Sequence, residues 1–342
     1  MILVRSAASG GVLVTGNPAD LAGLTASFQG FLTVSPAPSG PAAHPLVALT
    51  DTPPEGARWE RLVFASRFEP DRVLYVDHER RAVTVCGPAG AWRTLQALRT
   101  IRNLLRWQAF TAGQLFLHGG MVAFDGRGTA FLGGKRAGKT SSILSALLAG
   151  GASFVSNDDL TVELTEDHAP TGHGWPRSVN VRADTLVSLE SVRPGITERV
   201  LAASHPTNGW DGEHRSGNGG LPRSVWTYPA ELAAELDFPL VPRARLTALV
   251  LPRFDADRAT PELERITPDE AGELLRPHVE TAASHYDAFL QGWYSDQGPA
   301  RRQEALDALL ELPAYRLHQD LPSLTAAARL VRTAVLNEPT ET

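Results

Sequence analysis

The stretch Gly133-Gly134-Lys135-Arg136-Ala137-Gly138-Lys139-Thr140 fits the pattern G-x-x-x-x-G-K-[ST], in which glycines let backbone N–H groups turn inward around an anion. Phosphate binding is the first chemistry it suggests. Gly133, Gly134, Lys135, Arg136, Ala137, Gly138, Lys139, Thr140 and Ser141 would surround the group, with Lys139 reaching the β- and γ-phosphates and the Thr140 hydroxyl ligating Mg2+. Further along, Phe154-Val155-Ser156-Asn157-Asp158-Asp159 runs an apolar stretch into two carboxylates, Asp159 standing 20 positions after Lys139. Adjacent acids beside a triphosphate can divide the work, one holding the metal or its waters and the other taking a proton from an attacking hydroxyl. An Asp pair is also what a solvated turn carries. His118, placed just before Gly119-Gly120, could hydrogen-bond a catalytic carboxylate or a phosphate; taken alone, a structural strand-end histidine is the plainer reading.

Such residues work only if a strand delivers the loop and a helix leaves it. Gly128-Thr129-Ala130-Phe131-Leu132 reads as a short buried strand, and Thr140 to Leu148 carries apolar residues at helical spacing before Gly150-Gly151. The start of that helix would aim unpaired N–H groups and a positive dipole end at the phosphates. In an open α/β sheet, the strand ending in Asp158-Asp159 would bring both carboxylates to the same side. The reading requires Lys139 to reach solvent and Asp158 to lie on its side of the sheet.

Composition sharpens the loop. Of 32 Lys plus Arg, only Lys135 and Lys139 are lysines, and both lie inside it. A guanidinium fork does not replace the compact ammonium that fits between phosphates, so a chain that otherwise uses Arg keeps Lys where geometry demands it. Apolar residues are 43% and charged residues 20%, ordinary values for a globular chain, and the length allows two domains or one large domain with an added module. A net charge of -6 argues against a nucleic-acid partner. A single cysteine, Cys86, excludes an internal disulfide framework and a four-cysteine zinc site. No apolar run has the length of a membrane span, and the start MILVRSAASGG lacks the order of a signal peptide, so we expect a cytoplasmic protein with no membrane partner.

Residues 1–90 read as a β-rich N-terminal module, with short runs at 1–5, 11–15, 31–35, 46–49, 61–66, 73–77 and 82–86 separated by proline-rich turns such as 35–41. Nothing in it carries chemistry. Between Ala91 and Phe110 the apolar residues Trp92, Leu95, Leu98, Ile101, Leu105 and Phe110 share one helical face. The intervening Arg93, Arg99, Arg102 and Arg106 could form an anion site, and we read them instead as a solvated face. Arg177 and Arg182, near a turn and strand at 173–182, could reach the nucleotide or the acceptor, and we read them instead as strand-surface charges; Arg136 is equally a phosphate contact or a solvated residue. Residues 207–222 read as a mobile loop, 245–254 as a returning buried strand, and the remainder as mostly helical, with helices at 268–276, 300–312 and 322–336 and a frayed tail.

The ordered set LHGG, DGRG, GGKRAGKTS and SNDD resembles the catalytic core of HPr kinase/phosphorylase and the wider group of HPr-kinase-like serine kinases, which includes kinases acting on precursor peptides in ribosomal peptide maturation. The resemblance covers roughly residues 115–165 and is weaker at 174–182, 246–253 and 315–321. It implies an α/β fold with a P-loop kinase core of the HPr-kinase / PEP-carboxykinase-like type at 91–342, after the N-terminal module. It implies ATP and Mg2+, Gly133 to Ser141 around the triphosphate, Thr140 on the metal with Asp159 assisting, Asp158 as general base and His118 beside it. The glycine-rich signature that the bifunctional members carry after the acid pair is absent, so neither the reverse phosphorylase activity nor HPr as acceptor is implied. The expectation is therefore an ATP-dependent kinase acting on a hydroxyl, foremost a serine of a peptide or protein. A small-molecule hydroxyl kinase and a nucleotide-binding regulator without transfer are the alternatives, and homo-oligomerisation is left open.

Overall fold

The computed structural model describes residues 1–38, 43–66, 69–210, 224–256, 260–282 and 287–338. Within 35–41 the residues from 39 on, the part of 207–222 beyond Trp210, and the tail beyond Glu338 lie outside the described residues. The chain is a mixed α/β structure built on two large sheets.

The first sheet takes β1 (Ile2–Ser6), β2 (Gly11–Thr15), β3 (Leu32–Pro36), β4 (Leu46–Thr50), β5 (Glu60–Phe64), β6 (Arg72–Asp77) and β7 (Ala82–Cys86) in the order β3-β1-β2-β4-β7-β6-β5. Its strands are close to those the alternating pattern predicts. The all-β reading of this region nevertheless misses a helix, α1 (Pro18–Phe28). β2 and β4 are parallel, which requires a crossover, and α1 with β3 provides it. The start signal was present: the Asn17 side chain accepts from the Asp20 N–H at 2.8 Å, and Pro18 sits in the first turn. The inward face is thin, with only Asp20, Leu24 and Phe28 buried, so the periodicity was faint.

α2 (Ala91–Thr111) packs against β2, β4 and β7 through the predicted apolar stripe. Its other face is not solvated, contrary to the sequence reading. Arg93 and Arg106 are only 3% and 4% exposed. Arg93 donates to Asp20 at 2.6 Å, to Asp51 at 2.5 Å and to the Gly87 carbonyl at 2.7 Å, which ties α2 to α1 and to the ends of the first sheet.

The second sheet starts with β8 (Leu115–Phe124), β9 (Arg127–Leu132), β10 (Ser153–Ser156), β11 (Asp159–Leu164) and β12 (Pro170–His173), and is completed by β15 (Arg243–Phe254), β16 (Glu262–Ile266) and β17 (Ala314–Gln319). Here the expectation of an open sheet is corrected. β8 pairs with β11, β11 with β12, β12 with β15, β15 with β9, and β9 with β8, so five strands return to their start as a closed ring. β10 and β11 run consecutively along β8, one opposite Met121 to Ala123 and the other opposite Leu115 to His118, and the chain breaks its ladder between them at Asn157-Asp158. That break, and not the open end of a parallel strand, is where Asp158 emerges. β16 and β17 lie in a region read as mostly helical; β17 buries Tyr315, Leu317 and Gln319 with the strand period of two.

Between the two parts of the sequence that build this ring, a two-stranded sheet of β13 (Val179–Arg182) and β14 (Ser224–Thr227) accompanies three helices, α4 (Ala183–Leu189), α5 (Ile196–Leu201) and α6 (Pro229–Leu236). The helix after the glycine-rich loop, α3 (Lys139–Ala149), buries Ile143, Leu144, Ala146 and Leu147 and packs on the C-terminal helix. The predicted later helices appear as α7 (Pro268–Leu275), α8 (Pro299–Leu310) and α9 (Leu324–Asn337). Arg127 caps the end of α9 by donating to the carbonyls of Val335 and Glu338 at 3.0 and 2.7 Å. Among the described residues no helix is long and apolar enough to cross a membrane.

Candidate active site

β9 ends at Leu132, and the chain turns through residues 133–138 into α3. Gly138 sits in the left-handed region with φ 100°, and a Cβ there would meet the Phe254 ring at 2.4 Å, so only glycine serves at this helix start. The Ala137 N–H donates to the Gly134 carbonyl at 3.1 Å, closing the turn. Arg136 also takes a positive φ, 70°, an uncommon state for a residue with a side chain. Gly134, Lys135 and Arg136 are exposed, Gly133 and Lys139 are buried, and Thr140 is half-buried. Ser141 is buried with its hydroxyl 2.8 Å from that of Thr185, so this side chain faces α4 and not the loop mouth.

The Lys139 ammonium donates to the carbonyls of Gly133 at 2.6 Å and Gly134 at 3.3 Å and lies 3.5 Å from Nε2 of His118. The lysine is 8% exposed, so the requirement that it reach solvent is not met in this arrangement. What covers it is its own loop. Burial pushes its pKa down, Asp158 opposes that shift and Arg177 adds to it. Losing the two carbonyl bonds to an incoming phosphate would exchange neutral acceptors for charged ones, which favours the ammonium.

His118 leaves β8 on the same side. Its Nε2 is 3.8 Å from Oδ1 of Asp158, so Lys139, His118 and Asp158 converge, and the second requirement is met. The LHGG glycines have a steric reason. A Cβ on Gly119 would meet Leu132 at 2.4 Å, and one on Gly120 would meet the Asn157 carbonyl at 2.3 Å and Ile143 at 2.4 Å. β8 thus lets both the loop-bearing strand and the Asn157-Asp158 break approach closely.

The two neighbouring aspartates have different surroundings. Asp158 keeps 28% of its side chain exposed and has one oxygen 3.2 Å from Arg177 Nη2. Asp159 keeps 3% and is held by guanidiniums: Arg177 hydrogen-bonds Oδ1, and Oδ2 lies 3.4 Å from Arg106 Nη1 and 3.7 Å from Arg102 Nε. Burial works against ionising Asp159, but Arg106, Arg177 and Arg102 together outweigh it and hold the carboxyl well below the usual range. The expected metal-assisting role does not fit this carboxylate, because its lone pairs are already turned to three cations. Arg177 is raised, chiefly by Asp159. Arg102 is lowered to about 9 by burial and by Arg177, Arg106 and Arg99, with only Asp159 opposing.

The reading of Arg102, Arg106 and Arg177 as surface charges is therefore corrected. A further member was not foreseen: Glu280 pairs with Arg106 at 2.7 Å, and its backbone N–H donates to the Phe116 carbonyl at 2.8 Å, docking residues 279–280 on β8. Burial raises the Glu280 pKa, and Arg106 opposes. His278, whose ring centroid is 6.5 Å from that of His118, is lowered by burial and then by Lys139 and His118. A sequence signal existed for the α2 arginines: Arg99, Arg102 and Arg106 recur at three- and four-residue spacing, hence on one face. Arg177 lies in the stretch 174–182 of weaker resemblance, and Glu280 had no signal.

The residues present fit a bound nucleotide in part. A Cβ on Gly134 would meet nothing within 4 Å, the first turn of α3 points at the loop, and Lys139 and the half-buried Thr140 lie there. For a divalent cation, no group of three or more His, Cys, Asp or Glu is found among the described residues, so Mg2+ would have to be held by the Thr140 hydroxyl together with the phosphates it accompanies.

No family model matches the chain, and no curated protein does. Among solved structures, the HPr(Ser) kinase/phosphatase from Coxiella burnetii is similar at 11% identity over 65% of this chain and 88% of that one, with a TM-score of 0.28. At that score the likeness carries no argument for fold or activity.

Proposed function

We propose that the chain is an ATP-dependent kinase with a P-loop core, transferring the γ-phosphoryl group to a hydroxyl, foremost a serine of a peptide or protein. One observation carries the reading: the loop lysine, Lys139, lies 3.5 Å from His118 Nε2, and His118 lies 3.8 Å from the partly exposed Asp158, at a strand-to-helix turn rich in glycine. In this reading Gly133 to Thr140 bind the triphosphate and Lys139 contacts its terminal phosphates. Mg2+ held at Thr140 would neutralise phosphate charge. Asp158 takes the hydroxyl proton as the acceptor oxygen bonds to the γ-phosphorus and the β–γ bridging bond breaks toward ADP. His118 fixes Asp158, and Arg177, anchored by Asp159, holds it from the other side. The division into an N-terminal module at 1–90 and a core at 91–342 belongs to the same proposal, with α2 packed on both.

The test is transfer of label from γ-labelled ATP to hydroxyl peptides. Lys139→Ala should lower the rate by about a thousandfold, the scale of removing a main electrostatic contact to a transferring group. Unchanged transfer in that variant overturns the reading. ATP binding with no transfer to any acceptor would support a nucleotide-binding regulator instead.

A further inference from the structure

Three guanidiniums share Asp159, but not equally. Arg177 has Asp158 as a second carboxylate, at 3.2 Å, and Arg106 has Glu280, at 2.7 Å. Arg102 reaches Asp159 only at 3.7 Å, beyond hydrogen-bond distance, and its buried Nε has no hydrogen-bond partner among the described residues. Arg99, one turn earlier on α2, is paired with Glu69 and adds positive potential at Arg102.

Arg102, Arg106 and Arg177 surround Asp158, Asp159 and Glu280, and the Lys139 ammonium adds a further cation acting on Asp158. Cations therefore outnumber carboxylates in this cluster, and a cation with no close counter-charge is costly where water is largely excluded. Arg102 is the member with the weakest contacts, and its pKa, pulled down to about 9, agrees with a cation short of a partner. Arg102 keeps 14% of its side chain exposed, Arg177 36% and Asp158 28%, so all three retain accessible surface.

We propose that Arg102 and Arg177 form an anion subsite beside Asp158 that takes a carboxylate borne by the acceptor close to its hydroxyl. The inference rests on the transfer reading above and narrows its acceptor to an acidic one. A carboxylate supplies the close partner that Arg102 lacks, and its planar form suits a guanidinium fork. An acidic peptide and a small hydroxy acid share that chemistry.

The experiment compares kcat/KM for labelled-ATP transfer to two peptides differing only in Ser-Asp against Ser-Asn, and to glycerate against glycerol. The acidic member of at least one pair should be favoured by about tenfold, the worth of one charge-assisted hydrogen bond. Which pair responds identifies the source of the carboxylate. Arg102→Gln should bring the ratio toward one, and Arg102→Lys should keep part of it. Should Arg102→Gln fail to fold, the wild-type comparison stands alone. Equal transfer within both pairs overturns the subsite while leaving the kinase reading intact. ATP binding by calorimetry with no transfer to any of the four overturns the kinase reading and the subsite with it.

Discussion

Lys139 turns its ammonium onto the carbonyls of its own loop, whereas the three guanidiniums around Asp159 reach it from α2 and from the turn before β13. The loop is local, glycine-rich and largely exposed, and its charge has only neutral acceptors to leave. The arginine cluster is assembled from distant stretches, with Arg106 buried and Arg102 and Arg177 partly exposed around the same carboxylate. In the proposed reading, the region that would admit a polyanion keeps its cation on weak, replaceable bonds, and the region that would hold the base in place sets its cations on fixed carboxylates. The neighbouring acids divide along the same line, with Asp158 facing the first region and Asp159 locked in the second.

Substituting each acid in turn should separate the two regions. Asp158→Asn should lower labelled-ATP transfer by at least about a hundredfold, the usual contribution of a positioned general base, with little change in thermal midpoint. Asp159→Asn should instead destabilise the fold by roughly 3 to 5 kcal/mol, because it leaves buried guanidiniums without their carboxylate; a denaturant titration reads this directly. Similar stability losses for both would erase the distinction.

Acid should reach the frame before the loop. His205 is 1% exposed, its Nε2 is 2.8 Å from the hydroxyl of Ser178, the residue after Arg177, and burial lowers its pKa to about 3. Its Nδ1 accepts from the Thr207 N–H at 3.3 Å, which assigns the proton to Nε2 and makes the histidine the donor to Ser178. The unfolded chain takes up this proton near the ordinary value of about 6.5, while the folded chain refuses it until about pH 3, so stability should be flat above the first value and fall between the two. The loss should amount to a few kcal/mol at about pH 3, and His205→Gln should flatten the profile. An unchanged acid profile in that variant would remove His205 from the account.

The smallest contrast lies in the glycines. Gly120→Ala should cost roughly 1 to 3 kcal/mol, because the Asn157 carbonyl stands 2.3 Å from the new Cβ and cannot recede without moving Asp158. Gly134→Ala meets nothing within 4 Å and should leave stability within about 0.5 kcal/mol.

The same contrast explains what was legible in the sequence. The loop could be read because its parts are contiguous: glycines, two lysines in an otherwise Lys-free chain, a strand before and a helix after. Asp158 and His118 could be named as candidates, but the geometry that joins them depends on a closed ring of strands that no local pattern announces. Arg106 looks like any helix-surface arginine until the partner of α2 on its second side is known. Asp159 was misassigned for the same reason, since an acid that follows a buried strand looks alike whether it meets water, metal or arginine. In the N-terminal region, alternation gave the strands, and α1 escaped because its buried stripe is only three residues wide.

α2 lies against the first sheet along one side and carries Arg102 and Arg106 on another. It is therefore a shared wall: one helix closes the apolar side of the seven-stranded sheet and also supplies cations that fix Asp159.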